Sequence, residues 1–301
     1  MSTMTLGSPA GQASKQLELF SKKFYDGIGE SNKKFRQMVS VREKFDMGMG
    51  NGDVFTISIT GDLPIAGEIG ETEETPVADF DIDKVSVQVK EFGQKIIYTE
   101  KYKRASGLPL EEIFRSKLGK NAAETLDKEC HDRVFAVTNL VAWPTSATAV
   151  DFDETATVGT PNTSTNLTLD HVLKIVTKME ELRIPKRDGK YYCILTPKLA
   201  EPIKKELTTI NQHTETGFLR FVQGVIGEIY GCVFVVQNNV VTKDAYFFGD
   251  HIGFEVVLKP EQIIVGNSYD LNRKRELGWT ATLAFSPMMD NRIVRFDGRS
   301  A

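Results

Sequence analysis

Basic residues are missing from one stretch of this chain. Between Gly61 and Asp83 there are eight Asp or Glu and no Lys or Arg. Such a segment cannot neutralise itself, so it must lie in water or on a basic partner. Cysteine is scarce too. Cys130, Cys193 and Cys232 are an odd set at wide spacing, which excludes a disulfide framework or zinc site and fits a reducing compartment with buried, inert thiols. The histidines His131, His171, His213 and His251 stand alone, with no HExxH or comparable ligand spacing. No apolar run approaches the roughly 20 residues of a membrane span. The most apolar uncharged stretch, Val134–Val150, is interrupted by Asn139, Pro144, Thr145 and Ser146. Residues 1–16 lack an apolar core, so no signal peptide is expected. A net charge of −4 gives no global field that would gather nucleic acid. With 41% hydrophobic and 26% charged residues over 301 positions, the chain reads as folded, in one large or two ordinary domains.

Residues 1–14 read as a mobile tail. Residues 15–44 carry eight Lys/Arg, among them Lys22, Lys23, Lys33, Lys34 and Arg36, against four acids. Leu17, Phe20, Phe24 and Tyr25 predict a short amphipathic helix, and Ile28, Phe35, Met38 and Val39 are apolar points on an irregular stretch. The segment is a basic arm with too little apolar surface for a core of its own. Gly48, Gly50 and Gly52 then mark a hinge or tight turn. Alternating strands at Val54–Ile59 and Val85–Val89 flank the acidic stretch, which makes a long hairpin with an acidic tip. Another strand, Gln94–Thr99, is expected after a break at Gly93.

A long helix is expected over Pro109–Val141. Proline suits its first turn, and Glu111 and Glu112 favour its positive end. Leu110, Phe114, Leu118, Ala122, Leu126, Cys130, Val134, Val137 and Val141 trace its apolar stripe, and Trp143-Pro144 ends it. At about 1.5 Å per residue it would span roughly 50 Å, a structural beam. Residues 145–166 read as an exposed connection. Beyond them an α/β region is predicted, with a helix at Leu169–Leu182 capped by Thr168, a strand at Tyr191–Leu195, a helix from Thr196-Pro197 to about Leu207, and strands at Cys232–Val236, Ala245–Phe248 and Glu255–Leu258. Ile263–Val265, Leu277–Phe285 and Arg292–Phe296 are expected to form a closing antiparallel group. No internal repeat is present.

Several motifs invite a chemical reading. The Gly48–Gly52 run is not GxGxxG and leads into a strand, so it does not read as a phosphate loop. Cys130 and His131 are adjacent on a helix and point apart, which leaves Cys130 in the core and His131 on the flank. Glu68, Glu71, Glu73, Glu74, Asp79, Asp81 and Asp83 lack the order of a calcium loop, and carboxylates on a loose tip lack the rigid pocket a glycosidase needs. No GxSxG occurs. The sequons at Asn162 and Asn166 read as coincidence without a leader. Arg273, Lys274 and Arg275 form a basic run beside Asn267 and Asn272, read either as a solvated loop or as a DNA-facing surface. No catalytic, cofactor or metal residue is assigned.

The order of these parts resembles a tailed-bacteriophage major capsid protein of the Hong Kong 97 fold. The likeness covers roughly residues 15–297. It is strongest at Val89–Thr99 leading to Leu118–Asp127, at Gly227–Val236 and at Ala245–Phe248. It implies an α+β, Hong Kong 97-like capsid fold. Residues 1–46 would be an N-terminal arm and 47–84 an E-loop draped across the adjacent subunit. Residues 85–164 and 262–301 would form the peripheral domain around the spine helix 109–141, with 165–261 as the inserted axial domain. It further implies a non-enzymatic subunit, without cofactor, that builds pentamers and hexamers of an icosahedral head around double-stranded DNA. The implied partners are copies of itself, a separate scaffolding protein, a portal protein, a decoration protein and DNA by non-specific contact, with no membrane. The implied location is the virion, after assembly in the host cytoplasm. Some shells of this fold crosslink Lys to Asn, but no such trio is assigned. The residues expected at subunit contacts are Glu68, Glu71, Glu73, Glu74 and Asp79 on the acidic tip and Lys22, Lys23, Lys33, Lys34 and Arg36 on the arm, with Gly48, Gly50 and Gly52 as the hinge. The competing readings are an encapsulin-type nanocompartment shell and a soluble cytoplasmic α/β enzyme.

Overall fold

The computed structural model describes residues 34–40, 44–47, 52–60, 67–68, 74–75, 77, 82–106, 109–155, 166–211, 227–240, 244–268 and 270–297. The fold is α+β, and the described residues form three sheets. A two-stranded ribbon pairs β2 (Val54–Thr60) with β3 (Ile82–Gln88) in antiparallel register. A four-stranded sheet has the order β1-β11-β12-β4, from β1 (Lys44–Asp46), β4 (Lys90–Thr99), β11 (Gly253–Val265) and β12 (Lys274–Pro287). A seven-stranded mixed sheet has the order β6-β5-β13-β10-β7-β9-β8. Its strands are β5 (Val141–Pro144), β6 (Val150–Asp153), β7 (Tyr191–Leu195), β8 (Glu228–Ile229), β9 (Cys232–Val236), β10 (Asp244–Phe248) and β13 (Ile293–Asp297).

The helices cover these sheets. α1 (Phe35–Ser40) and α2 (Glu100–Ser106) are short, and α3 (Leu110–Cys130) is the spine. Leu110, Phe114, Leu118, Ala122, Leu126 and Cys130 are buried along α3, as their spacing requires. They share a core with Tyr98, Leu277, Trp279 and Leu283 of the four-stranded sheet. The Trp279 indole N–H donates to Asn121 Oδ1 on α3 at 3.0 Å, which fixes the sheet against the beam. α4 (Leu169–Glu181) and α5 (Pro197–Asn211) belong with the seven-stranded sheet, where Val172, Ile175, Leu199 and Ile203 pack on Cys193, Cys232, Phe247 and Phe296. Thr168 caps α4. Its hydroxyl accepts from the His171 amide at 3.4 Å, and His171 Nδ1 accepts from the Thr168 amide at 3.3 Å.

The spine is shorter than its apolar stripe predicts. The α-helix stops at Cys130, at 21 residues or roughly 31 Å, and one π-helical turn follows at His131–Phe135. The wider turn rotates the helix face, so His131, Val134 and Phe135 are all buried beside Cys130 while Val137 is 47% exposed. His131 is therefore a core residue and not a flank. Val141–Pro144, predicted as the helix end, is instead the fully buried strand β5, parallel to β13. Gly93 does not break its strand either. β4 runs straight through it, because a Cβ there would meet the Trp279 carbonyl at 2.8 Å and only glycine permits that approach. Pro260 lies inside one long β11 whose register shifts absorb it. The expected closing group divides, with β11 and β12 pairing in one sheet while β13 joins the other.

Candidate intersubunit surfaces

The ribbon β2–β3 pairs with no other strand among the described residues. Its base is anchored. Gln88 donates to Asp53 at 2.7 Å, the Val89 amide donates to the Asp53 carbonyl at 2.9 Å, and the Thr56 and Ser86 hydroxyls bond across the strands at 2.8 Å. Alternation turns Phe55, Ile57, Val85 and Val87 inward onto Phe254, Val256 and Ala284, with Phe55 and Phe45 rings 5.1 Å apart. Past this base the described residues, Gly67, Glu68, Glu74, Thr75 and Val77, are all exposed. Glu68 and Glu74 are exposed, and Val77 is 94% exposed. Glu71, Glu73 and Asp79 lie outside the described residues, as do Gly48 and Gly50. Gly52 is described and takes φ +82°, a left-handed conformation that explains the glycine at the foot of the ribbon.

The arm divides differently from the sequence reading. Lys22, Lys23 and Lys33 lie outside the described residues, and Lys34 donates to Gln37 at 3.2 Å. Arg36 is held inside its own subunit. It reaches Glu255 Oε1 from Nη2 at 2.7 Å and from Nε at 3.2 Å, and Glu261 Oε1 from Nη1 at 3.0 Å. Burial opposes its charge, but the hydrogen bonds to Glu261 and Glu255 outweigh that and raise its pKa. Those to Arg36 hold the Glu261 carboxyl below its usual range.

The rest of α1 is docked just as firmly. Phe35 and Val39 are buried, with the Phe35 ring edge-on to His131 at 4.8 Å and to Phe135 at 4.9 Å. Asp127 on the spine accepts from the Arg36 amide at 3.0 Å, so one helix supplies the cap of another, and Asn239 donates to its other oxygen at 3.0 Å. Burial pushes the Asp127 pKa up, against these hydrogen bonds. At the other end, Arg187 donates to the Met38 carbonyl at 2.9 Å while its guanidinium lies 5.5 Å over the Tyr192 ring. No motif in the sequence marks Asp127, Glu261 or Arg187. Glu255 did carry a signal, being one acid inside the apolar run Gly253–Leu258.

Among the described residues, the nucleophilic and titratable side chains that meet are mostly buried and already bonded to one another. Asp132, His131 and Tyr246 form a hydrogen-bonded chain, with contacts of 2.8 and 2.9 Å. Its His131–Tyr246 end is buried against Phe35 while Asp132 is exposed, and burial raises the Tyr246 pKa. Cys130, Cys193 and Cys232 are buried free thiols whose pKa values burial pushes up. Among the described residues no group of three His, Cys, Asp or Glu could hold a metal ion. Among the described residues no helix is long and apolar enough to cross a membrane.

A family model for phage capsid protein matches residues 82–291. The chain belongs to the phage capsid protein family. This capsid protein is accordingly a structural component of the virion and self-associates into its shell. Solved structures share its architecture. The capsid of Cyanophage P-SCSP1u superposes with a TM-score of 0.74 at 10% identity, covering 98% of this chain and 96% of that one. The capsid of Ralstonia phage GP4 gives a TM-score of 0.66 at 12% identity, covering 100% and 98%. The head of Helicobacter pylori bacteriophage KHP40 gives 0.66 at 11% identity, covering 98% and 99%. At these identities the capsid protein shares their fold. No curated protein matches it in sequence.

Proposed function

We propose that this capsid protein is the major shell subunit of a tailed phage, assembling as pentamers and hexamers of an icosahedral head around double-stranded DNA. The ribbon β2–β3 carries the reading. It leaves the body as a separate sheet and leads to exposed acids that a monomer gives no reason to display. As the E-loop, residues 47–84 overlap the adjacent subunit, with Glu68, Glu71, Glu73, Glu74 and Asp79 at the contact and Gly48, Gly50 and Gly52 letting the ribbon swing as curvature changes. Residues 1–46 are the arm. Its basic residues Lys22, Lys23, Lys33 and Lys34 serve the subunit contact, while Arg36 secures the docked helix. Residues 85–164 and 262–301 act as the peripheral domain and 165–261 as the axial domain that meets its copies around the symmetry axes. Scaffolding, portal and decoration proteins and packaged DNA complete the partners. Individual exposed ion pairs contribute about 0–1 kcal/mol each, so the lattice holds by many repeated contacts.

Negative-stain microscopy of the purified protein, alone and with its scaffold, tests this reading. Uniform hollow shells, rings of five or six, or tubes support it. A strict monomer at high concentration contradicts it, and particles that enclose protein cargo instead of DNA favour the nanocompartment.

A further inference from the structure

Strand β11 holds a different element on each of its faces where it passes the arm. Alternation turns Glu255 and Val257 toward the spine and α1, and turns Phe254 and Val256 toward the ribbon. On the first face Glu255 accepts from Arg36 at 2.7 and 3.2 Å, and Val257 joins the core that holds Phe35 and Val39. On the second face the Phe254 ring lies 6.2 Å from that of Phe55, at the foot of the ribbon.

Strand β1 belongs to both arrangements. It pairs in parallel with the same stretch of β11, with Lys44 opposite Glu255, Phe45 opposite Val256 and Asp46 opposite Val257. The Met47 amide extends the pairing, donating to the Val257 carbonyl at 3.0 Å. This register puts Phe45 on the ribbon side, wedged between the rings of Phe55 at 5.1 Å and Phe254 at 6.0 Å. Met47 is buried in the same apolar cluster.

Neither α1 nor β1 holds its place by itself. A helix of six residues is far below the length that is stable in water, and a strand of three residues adds few ladder bonds. Three residues join Ser40 to Lys44, roughly 14 Å of chain at full stretch. α1 therefore cannot move farther than that from its seat without drawing β1 off β11. Once β1 leaves, the ribbon loses Phe45 and Met47 from its apolar seat. Short segments tied in this way open and close as one cooperative unit.

We propose that residues 34–47 form a clasp that couples the arm to the ribbon inside one subunit. With α1 docked, the foot of β2–β3 is held; with α1 released, the ribbon is free to reorient. The coupling runs through β1 and β11, on whose opposite faces α1 and the ribbon sit. It is a property of the single subunit and does not depend on the shell reading above. Such a coupling acts equally in both directions.

Hydrogen exchange read by mass spectrometry on the full-length, unassembled subunit tests it from both ends. Arg36→Ala, which loosens α1, should speed exchange of the ribbon amides 54–60 and 82–88 about tenfold, and Phe55→Ala, which loosens the foot, should speed the α1 amides 36–40 by a similar factor. In a Phe45→Ala background Arg36→Ala should add less than about twofold at the ribbon, because the link is already cut. Amides of β7 and β10 serve as the reference and should stay within about twofold of the parent. Ribbon exchange at the parental rate in a subunit whose α1 is loosened overturns the clasp, as does α1 exchange at the parental rate in Phe55→Ala. An equal rise in β7 and β10 means general loosening and overturns it too. If Arg36→Ala does not fold or leaves α1 exchange unchanged, Phe35→Leu thins the seat of α1 without stranding Glu255 and is read by the same criteria.

Discussion

Arg36 shows how one side chain can stabilise the arm's attachment yet still be expensive to bury. Glu255 is fully buried, and Arg36 is the partner it faces; one Glu255 oxygen makes no hydrogen bond among the described residues. Arg36→Ala leaves that carboxylate uncompensated and is expected to cost about 3–5 kcal/mol, whereas Arg36→Met with Glu255→Leu should cost far less. Urea denaturation of the unassembled subunit measures both. Asp127→Ala removes the cap of α1 and a partner of Asn239, at about 1–3 kcal/mol by the same measurement. His171 gives a pH signature. Burial holds it neutral, with a pKa below the ordinary imidazole value, while its Nδ1 accepts from Thr168 and its Nε2 donates to the Ser146 carbonyl at 2.9 Å. The unfolded chain takes up the proton at about pH 6.5, so its contribution is complete above that pH and is lost as pH falls below it. His171→Gln keeps an acceptor for the Thr168 amide. Its urea midpoint should change less between pH 7.5 and pH 5.5 than that of the parent.

At the scale of elements, most of the fold was legible because periodicity follows burial. The alternation in Val54–Ile59 and the stripe from Leu110 to Cys130 appear in the structure as read. What escaped depends on contacts between distant residues. Nothing local in His131–Phe135 announces a π turn, since its use is to bring both Cys130 and His131 inward under Phe35. Gly93 looked like a strand end because glycine usually marks one. Its actual reason is a carbonyl contributed from β12, nearly 190 residues along the chain. Gly93→Ala should therefore destabilise by about 1–3 kcal/mol through overpacking in the middle of β4–β12. A lowered melting temperature with unchanged secondary structure in circular dichroism would confirm it. The division of the closing strands between two sheets was likewise hidden, because alternation gives the face of a strand and not its neighbour.

At the scale of the whole molecule, the acidic tip was legible and its partner was not. Lys34 and Arg36 looked alike in the sequence, yet one bonds only its neighbour Gln37 and the other is a half-buried lock on Glu255. The Arg273–Arg275 run left two readings open, and only the fold sets it across a cleft from Lys101. If carboxylates on one subunit meet cations on the next, assembly should weaken as ionic strength rises, because exposed charges are screened within about 10 Å at 0.1 M salt. Light scattering across a salt series measures this, and an assembly rate indifferent to salt would count against electrostatic overlap.

The most direct measurement is an electron-microscopic reconstruction of assembled particles, with density traced for residues 61–81. The account predicts a closed shell in which each acidic hairpin crosses a boundary and rests on the body of the adjacent subunit. A hairpin folded onto its own subunit, with no copy beneath its tip, would contradict it.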